Sequence, residues 1–392
     1  MTLLSLLVLV GVNAYARQFV YGLETTGLTN QVSWGAYIAN FTFLVGVAAA
    51  AVMLVIPAYI YKKEFMHEVV MFGELMAIAV ILMCLLFVTV DLGHPERFHH
   101  MIPPFGIFNW PGSILSWDVI VLNGYLLLNL HISGYLLYCR YRQRQPTKRF
   151  YIPFVFISIA WAVSIHTVTA FLYVGLAGRS YWHHPLVPSR FLASAFVAGP
   201  ALMILTFQVI RRLTRYWIGD EPIFTLRMIM TVAMIINMFL LGCEIFTEFY
   251  APTVHAAAAR YLYFGLHGHH GLVPWIWTAM ALDFLGLALL ITPLSRRIAG
   301  LNVACAACFV GIWIEKGMGL IVPGFVPTPL GQVVEYLPSL NETLVCLGIW
   351  AFGALVYSWM LHVAVPIMNG SLRADPEKPA ALHVAGSAAQ PH

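Results

Sequence analysis

Long, unbroken apolar stretches alternate with short polar segments along this chain, and none shows the one-in-two alternation of a half-buried strand. A helix needs about 20 residues to cross roughly 30 Å of hydrocarbon. Runs of that size fall at residues 2–22, 34–61, 70–91, 112–138, 151–176, 188–210, 224–250, 272–293, 300–322 and 341–366, ten in all. Because the runs are continuously apolar, their backbone groups must be satisfied within helices, which excludes an outer-membrane barrel. The pattern predicts an all-α integral membrane protein with residues 1–374 as a single transmembrane domain. A disordered cytoplasmic tail, rich in Ala and Pro, is expected over 375–392.

Composition narrows this further. Of 392 residues, 60% are hydrophobic and only 10% charged, which excludes a water-soluble globule, and the ten spans leave no room for a sizeable soluble domain. A net charge of +4 with scattered carriers makes nucleic acid an unsuitable partner. The six cysteines lie in or beside apolar runs, where thiols act as small hydrophobes, so no disulfide framework is inferred. The first run has no basic segment before it and no small-residue cleavage motif after it, so it reads as a retained span.

An even number of spans places both termini on one side. Lys62, Lys63, Arg140, Arg142, Arg144, Lys148, Arg149, Arg211, Arg212, Arg215, Arg227, Arg296, Arg297, Arg373 and Lys378 gather on that side, fifteen of the twenty-one Lys and Arg. The positive-inside rule makes that face, and both termini, cytoplasmic, in a cytoplasmic (inner) membrane. The opposite loops, 92–111, 177–187, 251–271 and 323–340, are longer and carry Trp, Pro and nine of the fifteen His. They suit docking of a partner, or equally an aromatic belt at headgroup level.

Ionisable groups inside spans are expensive and each needs a reason. Asp118, His166, Glu244, Glu248, Glu315, Lys316 and Glu342 all fall in the outer half, whereas Glu74, His131 and Asp283 lie deeper or nearer the basic face. Seven such groups at one depth form a pocket in which a quinone headgroup can exchange protons and electrons; the structural alternative is a set of buried pairs such as Lys316 with Glu315 or Glu244. Glu244 and Glu248 are four apart and share a helix face. His131 and His166 differ in depth by roughly 12 Å, too far for one bridged haem. Cys305 and Cys308 have no second pair, and the loop histidines read as surface groups, so no metal, haem or iron–sulfur cluster is assigned to this chain.

The stretches SWGAYIANFTFLVGVAAA (33–50), TVDLGHPERFHHM (89–101), SWDVIVLNGYLLLN (116–129) and SIHTVTAFLYVGLAGRSYWHHPLVPSRFLASAFVAG (164–199) together resemble the NrfD/PsrC family, membrane subunits of polysulfide-reductase-type complexes. Within that family, WIEKGMGLIVPGFVPTPLGQVVEYLPSLNE (313–342) looks most like the Dsr sulfur-metabolism branch. The resemblance implies two four-helix bundles, about 34–176 and 188–322, with flanking helices at about 2–22 and 341–366. It also implies exchange of menaquinone or ubiquinone near the outer face, beneath a periplasmic ferredoxin-like iron–sulfur subunit. A multihaem cytochrome c and other membrane redox subunits would complete the complex.

In that picture Trp34, Asn40, Glu315 and Lys316 contact the quinone. Asp118, His166, Glu244 and Glu248 relay protons at it, and Glu74, His131 and Asp283 supply a proton path from the basic face. A proton-conducting or solute-transporting module, and a passive membrane anchor, remain the alternatives.

Overall fold

In the computed structural model, which describes residues 1–214, 216–250 and 255–375, ten helices are long and apolar enough to span a membrane. They are α1 (Thr2–Tyr21), α2 (Ala36–Ile60), α3 (Glu64–Asp91), α4 (Ile114–Tyr141), α5 (Ile152–Val174), α6 (Val187–Leu213) and α7 (Asp220–Tyr250), then α9 (Val273–Ile291), α10 (Ile298–Lys316) and α11 (Leu340–Met368). Between α7 and α9 lies a short helix, α8 (His255–Tyr263), which span counting does not anticipate. Its run of alanines favours helix but is far too short to cross a bilayer. Among the described residues there is no strand, only an isolated bridge between Leu266 and His269. Arg215, Lys378, the loop positions 251–254 and the tail from 376 onward lie outside the described residues.

Helices α2 to α5 pack together, as do α6, α7, α9 and α10, and α2 meets both α6 and α10 where the two groups join. Burial follows this arrangement: α2, α3 and α6 have their apolar residues covered on nearly all sides, whereas α4, α7 and α9 leave broad apolar faces outward. With lipid tails as apolar as the side chains, close backbone approach rather than a hydrophobic drive selects these contacts. At Gly199 on α6, an added Cβ would lie 2.1 Å from the Ala50 Cβ, so the α2–α6 crossing requires that glycine.

The two flanking helices pair with each other, and α11 in turn packs on α3. Gly11 and Gly348 make this possible, since a Cβ at Gly11 would lie 2.5 Å from the Gly348 Cα. Gln18 of α1 is buried, donates to the Val90 carbonyl at 2.6 Å and accepts from the Tyr37 hydroxyl at 2.6 Å, tying α1 to α3 and α2.

Span ends differ from the hydropathy pattern where polar residues continue a helix. Helix α3 begins at Glu64 rather than near 70, and α10 stops at Lys316, followed by one-turn helices Met318–Ile321 and Val322–Gly324. That break matters, because it leaves Glu315 and Lys316 at a helix end facing the junction of the two groups.

Candidate functional site

The outer ends of the two groups are stitched by an aromatic cluster. Trp34 stacks on Trp182 at 5.5 Å and meets Tyr173 and Phe325 edge-on at 5.9 Å, while Arg179 lies 4.7 Å above the Phe325 ring. Trp182, from the loop after α5, donates its indole N–H to the Leu320 carbonyl at 2.8 Å. Gly324 lets it in: a Cβ there would fall 1.9 Å from the indole ring. Trp34 is therefore engaged with other rings at the seam above the polar groups.

Beneath the seam, on the second group, the residue that organises the carboxylates is the largely covered Arg190 of α6. Its guanidinium pairs with Glu244 of α7 through one nitrogen and with Glu315 of α10 through the other. The heptad-like stripe Asn237, Leu241, Glu244 and Glu248 is the buried face of α7, as the four-residue spacing requires. Glu248 is buried as well, and its Oε2 has no hydrogen-bond partner. In the sequence Arg190 counts only as an outer-face charge; the available signal is its place one turn into an apolar run, level with the acidic groups.

Lys316 makes none of the ion pairs among the described residues, so the structural alternative that paired it with Glu315 or Glu244 does not hold for it. Its buried Nζ donates to the Phe191 carbonyl at 3.2 Å and lies 4.2 Å from the Phe191 ring centroid. A guanidinium bridges two carboxylates with a planar fork that an ammonium lacks, which explains why Arg190 takes both acids.

Arg190, Glu315, Lys316 and Phe191 line a narrow cavity with Tyr181, Ser194, Asn237, Leu262 and Tyr263, and Glu244 stands behind Arg190, outside the lining. It encloses about 430 Å³ of space free of atoms, of which about 30 Å³ admits the centre of a water molecule. The roof comes from α8 and the loop after α5. Burial pushes the Tyr181 and Tyr263 hydroxyls well above the usual range; Glu244 adds to this at both, and Arg190 opposes it. Both phenols therefore stay protonated and can donate.

The first group has its own polar locus. Thr169 donates to the buried Asp118 carboxylate at 2.8 Å, and the neighbouring Tyr173 hydroxyl bonds Thr42 of α2. His166 bonds the Ala162 carbonyl through Nδ1 at 2.8 Å, leaving its buried Nε2 facing the Gly46 backbone without a well-aligned hydrogen bond. A Cβ at the same Gly46 would lie 3.1 Å from Lys316 Nζ. His166 and Lys316 thus converge on one glycine from the two groups.

Other expected groups lie elsewhere. Asn40 accepts from the indoles of Trp313 at 3.0 Å and Trp350 at 2.9 Å and donates to the Ala36 carbonyl at 2.8 Å, so its amide clamps α2, α10 and α11. Glu342 accepts from the backbone N–H of Gly27 at 3.0 Å and of Ala36 at 3.2 Å and from the Tyr336 hydroxyl. A carboxylate at the first turn of α2 neutralises unpaired N–H groups and complements the helix dipole, a structural duty.

Glu74 and Asp283 are buried with no hydrogen-bond partner for either oxygen among the described residues, and Asn237 likewise for its amide. Asp283 abuts Gly311, where a Cβ would fall 2.3 Å from Oδ1. His131 is not with them: it is exposed and bonded to the Phe150 carbonyl at 2.8 Å, because its position on α4 faces outward. The loop histidines bond locally, as with His94 to Glu96 at 2.9 Å and His183 to the Val174 carbonyl at 2.7 Å.

Comparison with known proteins adds a family. The profile described as "Polysulphide reductase, NrfD" matches residues 24–326. A selenate reductase subunit of Mesobacillus selenatarsenatis is 25% identical, with 94% of each chain covered. A putative dimethyl sulfoxide reductase membrane subunit of Halobacterium salinarum is 25% identical over 90% of this chain and 88% of that one. The Hdr-like menaquinol oxidoreductase integral membrane subunit of Archaeoglobus fulgidus is 24% identical over 91% and 90%.

Proposed function

This chain belongs to the NrfD family, and from that premise we propose that it is the quinone-exchanging membrane subunit of a respiratory oxidoreductase complex of sulfur metabolism. The similar proteins are named as subunits of reductases or oxidoreductases, one of them of a menaquinol oxidoreductase. The observation that supports the reading is Lys316: a buried lysine with no carboxylate partner among the described residues, at a cavity also lined by Arg190, by Glu315 of its bridged acid pair and by Tyr181 and Tyr263. A buried cation left with a carbonyl and a ring is poorly compensated, and a quinone oxygen is an acceptor of the right kind.

The residues divide the work by their chemistry. Lys316, Tyr181 and Tyr263 donate hydrogen bonds to quinone oxygens, and Arg190 holds Glu244 and Glu315 where they can take protons. Oxidising one quinol releases two electrons and two protons; the electrons pass to an iron–sulfur subunit on the outer, periplasmic face and the protons to the carboxylates. His166 and Asp118 serve the same exchange from the other side of Gly46. The cavity is too tight for a quinone ring as it stands, so Leu262 and Tyr263 of its α8 roof must yield on entry. Both termini are cytoplasmic in this reading.

The test is quinol oxidation by the intact complex. Lys316→Met should raise KM for quinol by about 10- to 100-fold, the loss of one charged hydrogen bond, with assembly unchanged. His166→Ala should slow quinol oxidation without loss of subunits. Normal turnover and KM in both variants would remove these residues from the exchange site.

A second reading, proton conduction, is favoured by one observation: Asn237 and Asp283 carry unpartnered polar atoms within the second helix group. A transporter should move its solute when reconstituted alone, whereas an electron-transfer subunit should be inert without its partner.

A further inference from the structure

On the basic-loop face, the ends of α3, α4 and α11 leave a groove that the redox chemistry does not use. Its walls are apolar, with Val70 and Met71 from α3, Leu136 and Leu137 from α4, and Ile367 and Met368 from α11. Its rim is basic and polar, with Arg140, Gln143, Arg144 and Arg373. About 490 Å³ of it admits the centre of a water molecule, within about 1580 Å³ free of atoms, so it is far roomier than the outer cavity.

Gln143 is the informative residue. It follows α4 with φ 54°, in the left-handed region where glycine is the usual choice. Its amide oxygen and nitrogen are both buried with no hydrogen-bond partner among the described residues. Covered amide atoms that meet nothing to bond among the described residues offer a donor and an acceptor to a group entering the groove. Arg144 beside it is exposed and makes no side-chain hydrogen bond or ion pair among the described residues. Arg140 and Arg373, which bond the Met368 and Gly370 carbonyls among other partners, stand on the same rim.

We propose that this groove binds an anionic phospholipid. The phosphate sits against Arg144 and the Gln143 amide, within the field of Arg140 and Arg373, and an acyl chain lies along Leu136, Leu137, Val70 and Met71. Basic pockets between span ends on the positively charged face are suited to such headgroups. The apolar walls decide for a lipid over free phosphate, which has no use for them. The proposal stands apart from the quinone reading and survives or fails without it.

The test is lipid retention by the intact complex in nanodiscs mixed from phosphatidylglycerol and phosphatidylcholine, read by native mass spectrometry. The wild type should retain phosphatidylglycerol selectively. Arg144→Gln should weaken that retention about fivefold, the share of one surface arginine, and Gln143→Leu should weaken it too. Arg142→Gln removes the same charge outside the groove and should change nothing. Equal retention of the two lipids, or equal losses in Arg142→Gln and Arg144→Gln, would overturn the proposal. So would displacement of the lipid by millimolar inorganic phosphate, which would make this a free-anion site. Selective retention appearing only after removal of residues 376–392 would assign the groove to the chain's own terminal segment and equally refute it.

Discussion

Replacing Arg190 by Leu removes the cation that holds two acids from different helices. The guanidinium and its partners are nearly covered, at 13% side-chain exposure for Arg190 against 8% for Glu244 and 7% for Glu315. Breaking a buried pair by deleting one partner costs about 3–5 kcal/mol. A second route gives a similar figure: two facing carboxylates can relax by taking up one proton, and at pH 7 protonating an ordinary glutamate of pKa about 4.3 costs about 3.7 kcal/mol. At pH 5 the same step costs about 1 kcal/mol. The folded variant then binds more protons than its unfolded chain, so its stability falls as pH rises, and the defect is largest at neutral pH.

Thermal unfolding of the variant in detergent micelles, followed by tryptophan fluorescence at both pH values, reads this directly. Adding Glu244→Gln and Glu315→Gln to Arg190→Leu should restore most of the loss at pH 7, because neither acid of the bridge is then left as an unpaired charge. A defect below about 1 kcal/mol at pH 7, or one unchanged between pH 7 and pH 5, would refute the view that Arg190 is the electrostatic hub.

Three further outcomes are expected. Asn40→Leu strands two indole donors, Trp313 and Trp350, and should destabilise the protein by about 2–4 kcal/mol with a shifted tryptophan emission; quinol KM should be unaffected if its amide is only a clamp. Glu342→Gln should cost about 1–2 kcal/mol, the charge lost at the first turn of α2, measured by the same unfolding assay. When the complex is driven toward quinone reduction, which consumes two protons per quinone, Asp283→Asn and Glu74→Gln should slow proton uptake from the basic-face side of oriented vesicles while leaving quinone binding intact; unchanged uptake in both would reduce them to helix-packing groups.

The spans were legible in the sequence because continuous apolar length is a one-dimensional property. So was the shared face of Glu244 and Glu248, which follows from helical spacing alone. The pairing of the acids was not, because Arg190 reaches them on α7 and α10 from a third helix, and its place one turn into an apolar run gives its depth but not its partners. Asn40 and Glu342 have the right type and depth for a polar pocket, yet their partners arrive from other helices, hundreds of residues away in sequence. His131 fails for a simpler reason: depth along a span is readable from hydropathy, but the direction a helix faces depends on neighbours. Helix α8 escaped because a nine-residue helix leaves no span-length signal.

The central claim is that quinone meets this chain at the Arg190–Lys316 cavity, and photolabelling reads it most directly. An azidoquinone would be irradiated with the intact complex in native membranes and the adducts mapped by peptide mass spectrometry. The account predicts labelling within 181–194, 262–276 and 313–320, abolished by excess unlabelled quinol and lost in Lys316→Met. Competable labelling confined to peptides that do not line the cavity, with these three segments unmodified, would contradict it.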